Sequence, residues 1–292
     1  MSIPLATDYT EIEHTHLRLI LEDLRKCFSK YSDTGYLDAL VLLAELINKP
    51  RAWILGHPES HLSVSQYKNL IKAKTKIEAG IPLPYILGKW EFYGLDFFVT
   101  PEVLIPRPET ELLIEVARTF LAEKTGIHTL ADVGTGSGII AVTLAASFPD
   151  IQIIATDISS KALQVARRNA ITHQVSSRIH LIQADLLPVT SQPFDMICAN
   201  LPYIPSDLLH TLDVYEKEPV IALDGGENGL ALIELLITQA KTLLAPSGIL
   251  LIEIEASQGQ AVKNIAKQAF QQANIRIEKD LAGKDRLLII EK

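Results

Sequence analysis

Cysteine is almost missing from this chain. Cys27 and Cys198 are the two among 292 residues, one in a helical and one in a strand-like context, so neither a disulfide framework nor a zinc cluster is on offer. Long apolar runs are missing as well: residues 138–146 and 248–252 are the longest kind, far short of the ~20 residues that span a bilayer. There is no excess of basic charge, since 27 Lys and Arg stand against 35 Asp and Glu for a net charge of −8. The imbalance lies in residues 106–292, with sixteen basic against twenty-two acidic side chains, while residues 1–88 hold ten of each. Surfaces that clamp a phosphate backbone are usually basic, so no direct nucleic-acid contact is expected. The first residues, MSIPLATDYTEIEH, carry no basic n-region, and with the scarce cysteine this points to a cytoplasmic protein away from membranes. Fifteen Gly and fifteen Pro are ordinary usage, which excludes collagenous and disordered classes. A soluble globular chain remains, with enough apolar residues for one large domain or two ordinary ones.

From Tyr9 to about Gly88 the apolar residues recur at intervals of three and four: Leu17, Leu21, Leu24, then Leu37, Leu40, Val41, Ala44, and later Leu70, Ile71, Ala73, Ile77. That period predicts a small helical bundle. Breaks at Ser32–Gly35, Asn48–Pro50 and Gly56–Pro58 divide it into four or five short helices, with Ser63 or Ser65 as N-cap of the last. Aromatic and β-branched residues on both sides of Gly94, from Trp90 to Val99, predict a hairpin joining two domains. After Arg107-Pro108-Glu109-Thr110 the pattern becomes strand and helix in alternation. Strands are expected at 129–133, 151–156, 179–183, 194–199, 249–254 and 285–290, and helices at 111–124, 139–147, 161–173 and 230–244. Near-continuous apolar strands separated by helices predict a doubly wound, parallel sheet.

Three signals fall at the ends of consecutive strands. Gly134-Thr135-Gly136-Ser137-Gly138 follows the first, and its glycines let the backbone approach a ligand seated on a helix N-terminus. The spacing is G-x-G-x-G, not the G-x-G-x-x-G of nicotinamide enzymes; a tight turn without a ligand is the plain alternative. Asp157 lies 23 residues after Gly134, where a carboxylate can accept hydrogen bonds from both hydroxyls of a ribose, although an Asp there can also cap the next helix. Asp185 with Leu186 follows the third strand and can face an adenine edge. Together they describe one nucleoside-binding crevice.

Asn200-Leu201-Pro202-Tyr203 leaves the end of the strand at 194–199. An amide or exocyclic amine is a poor nucleophile because its lone pair is delocalised. The Asn200 side-chain carbonyl and the next backbone carbonyl can accept its two N–H groups and aim the lone pair at an electrophilic methyl, with Tyr203 packed on the planar group. The plain alternative is a turn after a strand.

With Pro84-Tyr85-Ile86-Leu87-Gly88, Glu91-Phe92-Tyr93-Gly94, Ile105-Pro106-Arg107-Pro108-Glu109-Thr110, Glu218-Pro219, residues 222–226 and the final residues 280–286, the chain resembles the HemK/PrmC family. Its members are S-adenosyl-L-methionine-dependent methyltransferases acting on the side-chain nitrogen (N5) of the glutamine in the GGQ motif of peptide chain release factors. The resemblance implies an α/β, Rossmann-like class I methyltransferase fold with a doubly wound, mostly parallel sheet, preceded by a small all-α helical bundle. Residues 1–88 would be the partner-recognising bundle, 89–105 the hairpin linker and 106–292 the methyltransferase domain. Gly134, Thr135, Gly136, Ser137, Gly138, Asp157, Asp185, Leu186 and Asn200 would hold the cofactor. Asn200, Leu201, Pro202 and Tyr203 would hold the substrate, with Asn200 and Tyr203 catalytic. The family pattern is N-P-P-Y, so Leu201 departs from it: its carbonyl remains, but the fixed φ of Pro is lost, partly offset by the restriction Pro202 places on its predecessor.

Other features read plainly. His14, His16, His57 and His61 lack partners at metal spacing, so no metal is expected. Lys68, Lys72 and Lys76, with Lys74 beside them, form a solvated helix face or a contact for an acidic partner or RNA. Cys198 is a small core residue. Arg107, near the cofactor by family likeness, is alternatively a tie between the domains. Two rivals to glutamine methylation are a DNA or RNA amino-methyltransferase of the adenine-N6 type, which an N-x-P-Y corner would also serve, and a non-catalytic nucleoside-binding partner protein.

Overall fold

The computed structural model of the chain describes residues 16–124 and 128–292; His14 lies outside them. The chain divides into two compact units, residues 1–88 and 89–292.

In the first unit five helices are described: α1 (Leu17–Phe28), α2 (Gly35–Ile47), α3 (Arg51–Gly56), α4 (Val64–Glu78) and α5 (Leu83–Leu87). The buried face of α1 is Leu17, Ile20, Leu24, Cys27 and Phe28, and that of α4 is Tyr67, Leu70, Ala73 and Ile77, both at the three-and-four spacing of a half-buried helix. Ser63 caps α4 in a reciprocal box with Gln66, which satisfies donors the first turn leaves open. Asn48 ends α2 in the left-handed conformation, φ 56°. Lys74 is not part of the solvated stripe: it pairs with Asp23 on α1 at 2.7 Å, both largely buried. Lys68, Lys72 and Lys76 are exposed. The His16 and His61 rings meet tilted at 38° with centroids 4.7 Å apart, and His16 Nδ1 pairs with the Glu59 carbonyl.

The second unit opens with β1 (Lys89–Phe92) and β2 (Leu95–Phe98), paired antiparallel with Phe92 opposite Leu95. The two-residue turn, Tyr93 at φ 52° and Gly94 at φ 75°, has the doubly left-handed form that suits strand twist. Phe92 and Phe97 are buried in the unit's core, and the Asn169 side chain binds both backbone groups of Phe98, accepting from its N at 2.8 Å and donating to its O at 3.0 Å. The same Asn169 amide donates to Ser137 O at 2.7 Å. One buried side chain therefore ties the hairpin to the glycine loop.

Seven strands follow among the described residues: β3 (His128–Val133), β4 (Ile151–Asp157), β5 (Ile179–Gln183), β6 (Phe194–Ala199), β7 (Leu244–Glu253), β8 (Asn274–Lys279) and β9 (Asp285–Glu291). They make one sheet of order β5-β4-β3-β6-β7-β9-β8. The ladder is parallel from β5 to β7, and β9 runs antiparallel to both its neighbours. Residues alternate between two cores. Leu130, Met196 and Cys198 face the layer holding α6 (Glu111–Ala122), α7 (Ile139–Ser147) and α8 (Ser160–Thr172), while Ala131, Ile197 and Ala199 face the layer of α9 (Ala231–Leu243) and α10 (Gly259–Ala269). The sheet is thus doubly wound and mostly parallel. The strand β8 and the helix α10 are not among the elements expected from the sequence; Asn274–Lys279 carries only half-buried and exposed residues. Strand order reverses between β3 and β6, and the crevice beyond such a reversal is where α/β sheets bind ligands. Among the described residues no helix is long and apolar enough to cross a membrane.

Candidate active site

At that reversal lies a cavity of about 550 Å³. Its floor is formed by Gly134, Thr135, Gly136 and Ser137 of the loop after β3, where Gly134, Gly136 and Gly138 take φ of 70°, 54° and 83°; Gly138 itself does not line the cavity, and a Cβ there would meet Ala166 at 3.2 Å. The loop is pinned from below by Asp132, buried at the end of β3, whose Oδ2 accepts from Thr135 Oγ1 at 2.6 Å and from Ala141 N at 3.1 Å. Ala141 is in the first turn of α7, where a carboxylate complements the helix dipole. Burial, more than any neighbour, pushes the Asp132 carboxyl up to about 6.

Asp157 is the last residue of β4. Its Oδ2 accepts from Gly136 N at 2.9 Å and its Oδ1 from Ser159 N at 2.8 Å, so it joins the glycine loop to the start of α8. It is not the cap of that helix: Ser159 is, accepting from Ala162 N. Burial raises the Asp157 carboxyl above its ordinary range, against the pull of these backbone donors. Each of its oxygens keeps a lone pair, and the side chain lines the cavity. Asp185 and Leu186 line it too, two and three residues beyond the end of β5 at Gln183 and not at the strand end itself. Asp185 is exposed. Leu186 is buried with φ 61°, a left-handed conformation costing an L-residue roughly 1–2 kcal/mol, which is characteristic of chain held in place at a site.

Asn200 stands directly after β6 and borders both this cavity and a second one of about 350 Å³, which Tyr203, Ile204, Leu212 and Val214 line. Leu104, Arg107, Leu201 and Ala222 are shared by the two. Tyr203 therefore sits on the second cavity, away from the Asp157 end. Its hydroxyl is pushed well up by burial and then by the nearby Glu253 carboxylate, so it stays neutral and its ring is a packing surface.

The Asn200–Tyr203 corner is held from behind by glycines and an amide. Gln258 Nε2 donates to Tyr203 O at 2.9 Å and to Gly229 O at 3.2 Å. A side chain at Gly229, which has φ 69°, would overlap the Tyr203 carbonyl, so only glycine lets the chain pass there. Leu201 is 3% exposed, within the core formed with Leu186 and Ile233, and a Cβ on Gly134 would meet its Cδ2 at 3.0 Å. Packing thus supplies the constraint that a proline ring would have given.

Arg107 forms an ion pair with Glu218, whose side chain is buried, and the other Glu218 oxygen accepts from Ile105 N at 2.9 Å. The pair lies wholly within the second unit and shapes the wall shared by the cavities. Glu218, Asp132, Thr110 and Glu253 are site neighbours that the sequence reading left without a role. Glu253 carried a legible signal, a charged residue inside the apolar run Ile249-Leu250-Leu251-Ile252-Glu253-Ile254.

The cavity suits a nucleoside: a carboxylate with free lone pairs at the second strand end, a backbone cradle after the first, and an apolar wall at Leu186. Residues 19–88 match the PrmC N-terminal domain and residues 124–287 a methyltransferase domain. The release factor glutamine methyltransferase of Moorella thermoacetica is 40% identical over 255 residues, covering 87% of this chain and 90% of that one. That of Enterococcus faecalis is 38% identical over 242 residues, 82% and 86% of the two chains. Among solved structures, a methyltransferase from Pyrococcus furiosus aligns over 79% of this chain and 99% of its own with TM-score 0.50 and 18% identity. A T. thermophilus 16S rRNA methyltransferase in complex with AdoMet and guanosine aligns over 70% of this chain and 49% of its own, with TM-score 0.50 and 14% identity; likenesses this distant speak to the fold alone. Sheet order and domain match define a class I methyltransferase. Within that class, the chain belongs to the release factor glutamine methyltransferase family.

Proposed function

We propose that this enzyme transfers a methyl group from S-adenosyl-L-methionine to the side-chain amide nitrogen of the glutamine in the GGQ motif of peptide chain release factors. The observation that carries the proposal is the placement of Asn200 on the border of the two cavities, where one side chain can meet both the methyl donor and the acceptor. Gly134 to Gly138 would cradle the cofactor, Asp157 its ribose, and Asp185 with Leu186 its adenine end. Held there, S-adenosylmethionine supplies an electrophilic methyl on a sulfonium sulfur. The chain's own residues prepare the acceptor. Asn200 Oδ1 and the Leu201 carbonyl accept the two N–H groups of the glutamine amide, which draws electron density onto its nitrogen and fixes its direction. Tyr203 packs on the amide plane. As the N–C bond forms, the methyl's bond to sulfur breaks with its electron pair kept by sulfur, which leaves as a neutral thioether, and one amide N–H proton is given up to solvent.

A methyl-transfer assay offering intact release factor, release factor with the GGQ glutamine replaced, and DNA in competition tests the proposal. Label should enter intact release factor alone; label in the DNA would make the adenine-type rival right, and none anywhere despite cofactor binding would favour a non-catalytic binding protein.

The bundle of residues 1–88 we assign to partner docking, on the ground that a glutamine within a folded release factor must be presented to the Asn200 crevice. A chain beginning at Lys89 should bind cofactor normally and lose most activity on intact release factor, measured by calorimetry and label transfer. Undiminished activity would make the bundle dispensable.

A further inference from the structure

Behind Asn200 runs a buried chain of hydrogen bonds. Asn200 Nδ2 donates to Thr110 Oγ1 at 3.0 Å, and Thr110 Oγ1 donates to Glu253 Oε2 at 2.7 Å. Thr110 and Glu253 are 0% and 1% exposed, and the second carboxylate oxygen, Glu253 Oε1, is buried with no partner among the described residues. Neither Thr110 nor Glu253 lines either cavity. A carboxylate so poorly compensated costs stability unless it is retained for another reason.

The chain has a direction. An ionised carboxylate only accepts, so it takes the single Thr110 hydroxyl proton, and Thr110 Oγ1 is left to Asn200 as an acceptor. Asn200 must then turn its Nδ2 inward, which leaves Oδ1 for the crevice. A protonated Glu253 can donate instead. The Thr110 hydroxyl is then released to donate to Asn200 Oδ1, and the amide flips to present Nδ2 outward, where it would meet the donors of a glutamine amide head on.

We infer that Glu253, acting through Thr110, is a positioning residue for methyl transfer, fixing which end of the Asn200 amide faces the acceptor. The inference rests on the acceptor role assigned to Asn200 above. The groups around Glu253 make its charge adjustable near neutrality. Burial pushes its carboxyl up to about 7, with the Thr110 hydrogen bond and Arg286 on β9 pulling down, Glu109 pushing up, and the Tyr203 hydroxyl pulling down. Arg286 is itself shared with Asp280 at 3.2 Å. Because the folded value lies above the ordinary one, the fold loses stability as pH rises from the ordinary carboxylate value of 4.5 to about 7, and the loss is complete above that. The orientation that serves the reaction is thus held at a cost in stability.

The full-length enzyme and its Glu253→Gln, Thr110→Val and Thr110→Ser variants decide the matter in two measurements. The first follows the Asn200 side-chain amide resonance in nitrogen-15 spectra, identified by its loss in Asn200→Asp. In the wild type it should shift with a midpoint near the Glu253 titration, and in Glu253→Gln and Thr110→Val it should stand still. The second is turnover on release factor. Thr110→Val should leave the cofactor Kd and acceptor KM within about twofold while kcat falls on the order of 10–100-fold, as for loss of a preorganised polar contact, and Thr110→Ser should recover most of it. In Glu253→Gln the rise of kcat through neutral pH should flatten, and Tm should increase at pH 8.5 and, by less, at pH 6, with little change near pH 4. An Asn200 resonance that ignores Thr110→Val and Glu253→Gln, or wild-type kcat in Thr110→Val, overturns the relay. Absence of methylation by the wild type, with the resonance still coupled to Glu253, overturns the acceptor assignment and leaves the relay standing.

Discussion

Asn200→Ala is expected to keep its affinity for S-adenosylmethionine within about twofold and to lose 10²–10³-fold in methyl-transfer rate, the order seen when one preorganised polar group is removed from a charge-stabilising site. The cofactor contacts proposed above lie mainly along Gly134–Gly138 and Asp157, so binding has other supports. What disappears is the acceptor for one glutamine N–H, and with it both the aim of the lone pair and the complement to positive charge growing on nitrogen. The loss should fall in kcat, because an interaction that strengthens as the bond forms contributes little to ground-state binding. Asn200→Asp separates the causes: its carboxylate keeps an acceptor of similar shape but can also accept the Thr110 hydroxyl, competing with Glu253 for it. Partial activity in that variant supports hydrogen-bond orientation. Wild-type turnover in Asn200→Ala, measured by label transfer, would reduce the corner to a turn.

Asp157→Ala is expected to weaken cofactor binding by roughly 1.5–3 kcal/mol, about 10–150-fold in Kd. The carboxylate receives Gly136 N and Ser159 N, so alanine leaves two backbone donors unpaired and loosens the loop as well as removing the ribose contact. Asp157→Asn keeps one acceptor oxygen and should retain part of the affinity. Burial holds the Asp157 carboxyl above its usual range, so wild-type affinity should begin to fall at a higher pH than an exposed aspartate would dictate. Calorimetry on the folded variant showing unchanged Kd would remove Asp157 from the site.

The Leu201 position shows how a local rule and a tertiary solution exchange roles. Read from the chain, Leu in place of the family's first proline is a loss of rigidity. In the fold it is a buried side chain against Gly134, in a core shared with Leu186, and Pro202 is kept beside it. Constraint by a covalent ring is replaced by constraint through packing. Arg107 shows the opposite: the sequence left it between a cofactor role and a tie between domains, and its partner proves to be Glu218 in the same unit.

The order of strands and helices from β3 to β7, the glycine loop, Asp157 at a strand end and the Asn200 corner were legible because each depends on local chemistry. Apolar period, positive-φ glycines and strand-terminal polar residues are recorded in adjacent positions. The antiparallel direction of β9, the edge strand β8, and the convergence of Thr110, Glu253 and Asn200 were not. Thr110 lies 143 positions before Glu253 and 90 before Asn200, and no short-range pattern links residues that far apart. Their meeting follows from the register in which β6 pairs with β7, Ala199 opposite Ile252, and from the turn at Pro108–Thr110 that starts α6. The chain by itself marked which residues are candidates for the chemistry; the long-range pairing of the sheet decided which buried groups stand behind them, because burial and hydrogen-bond direction are properties of neighbours in space.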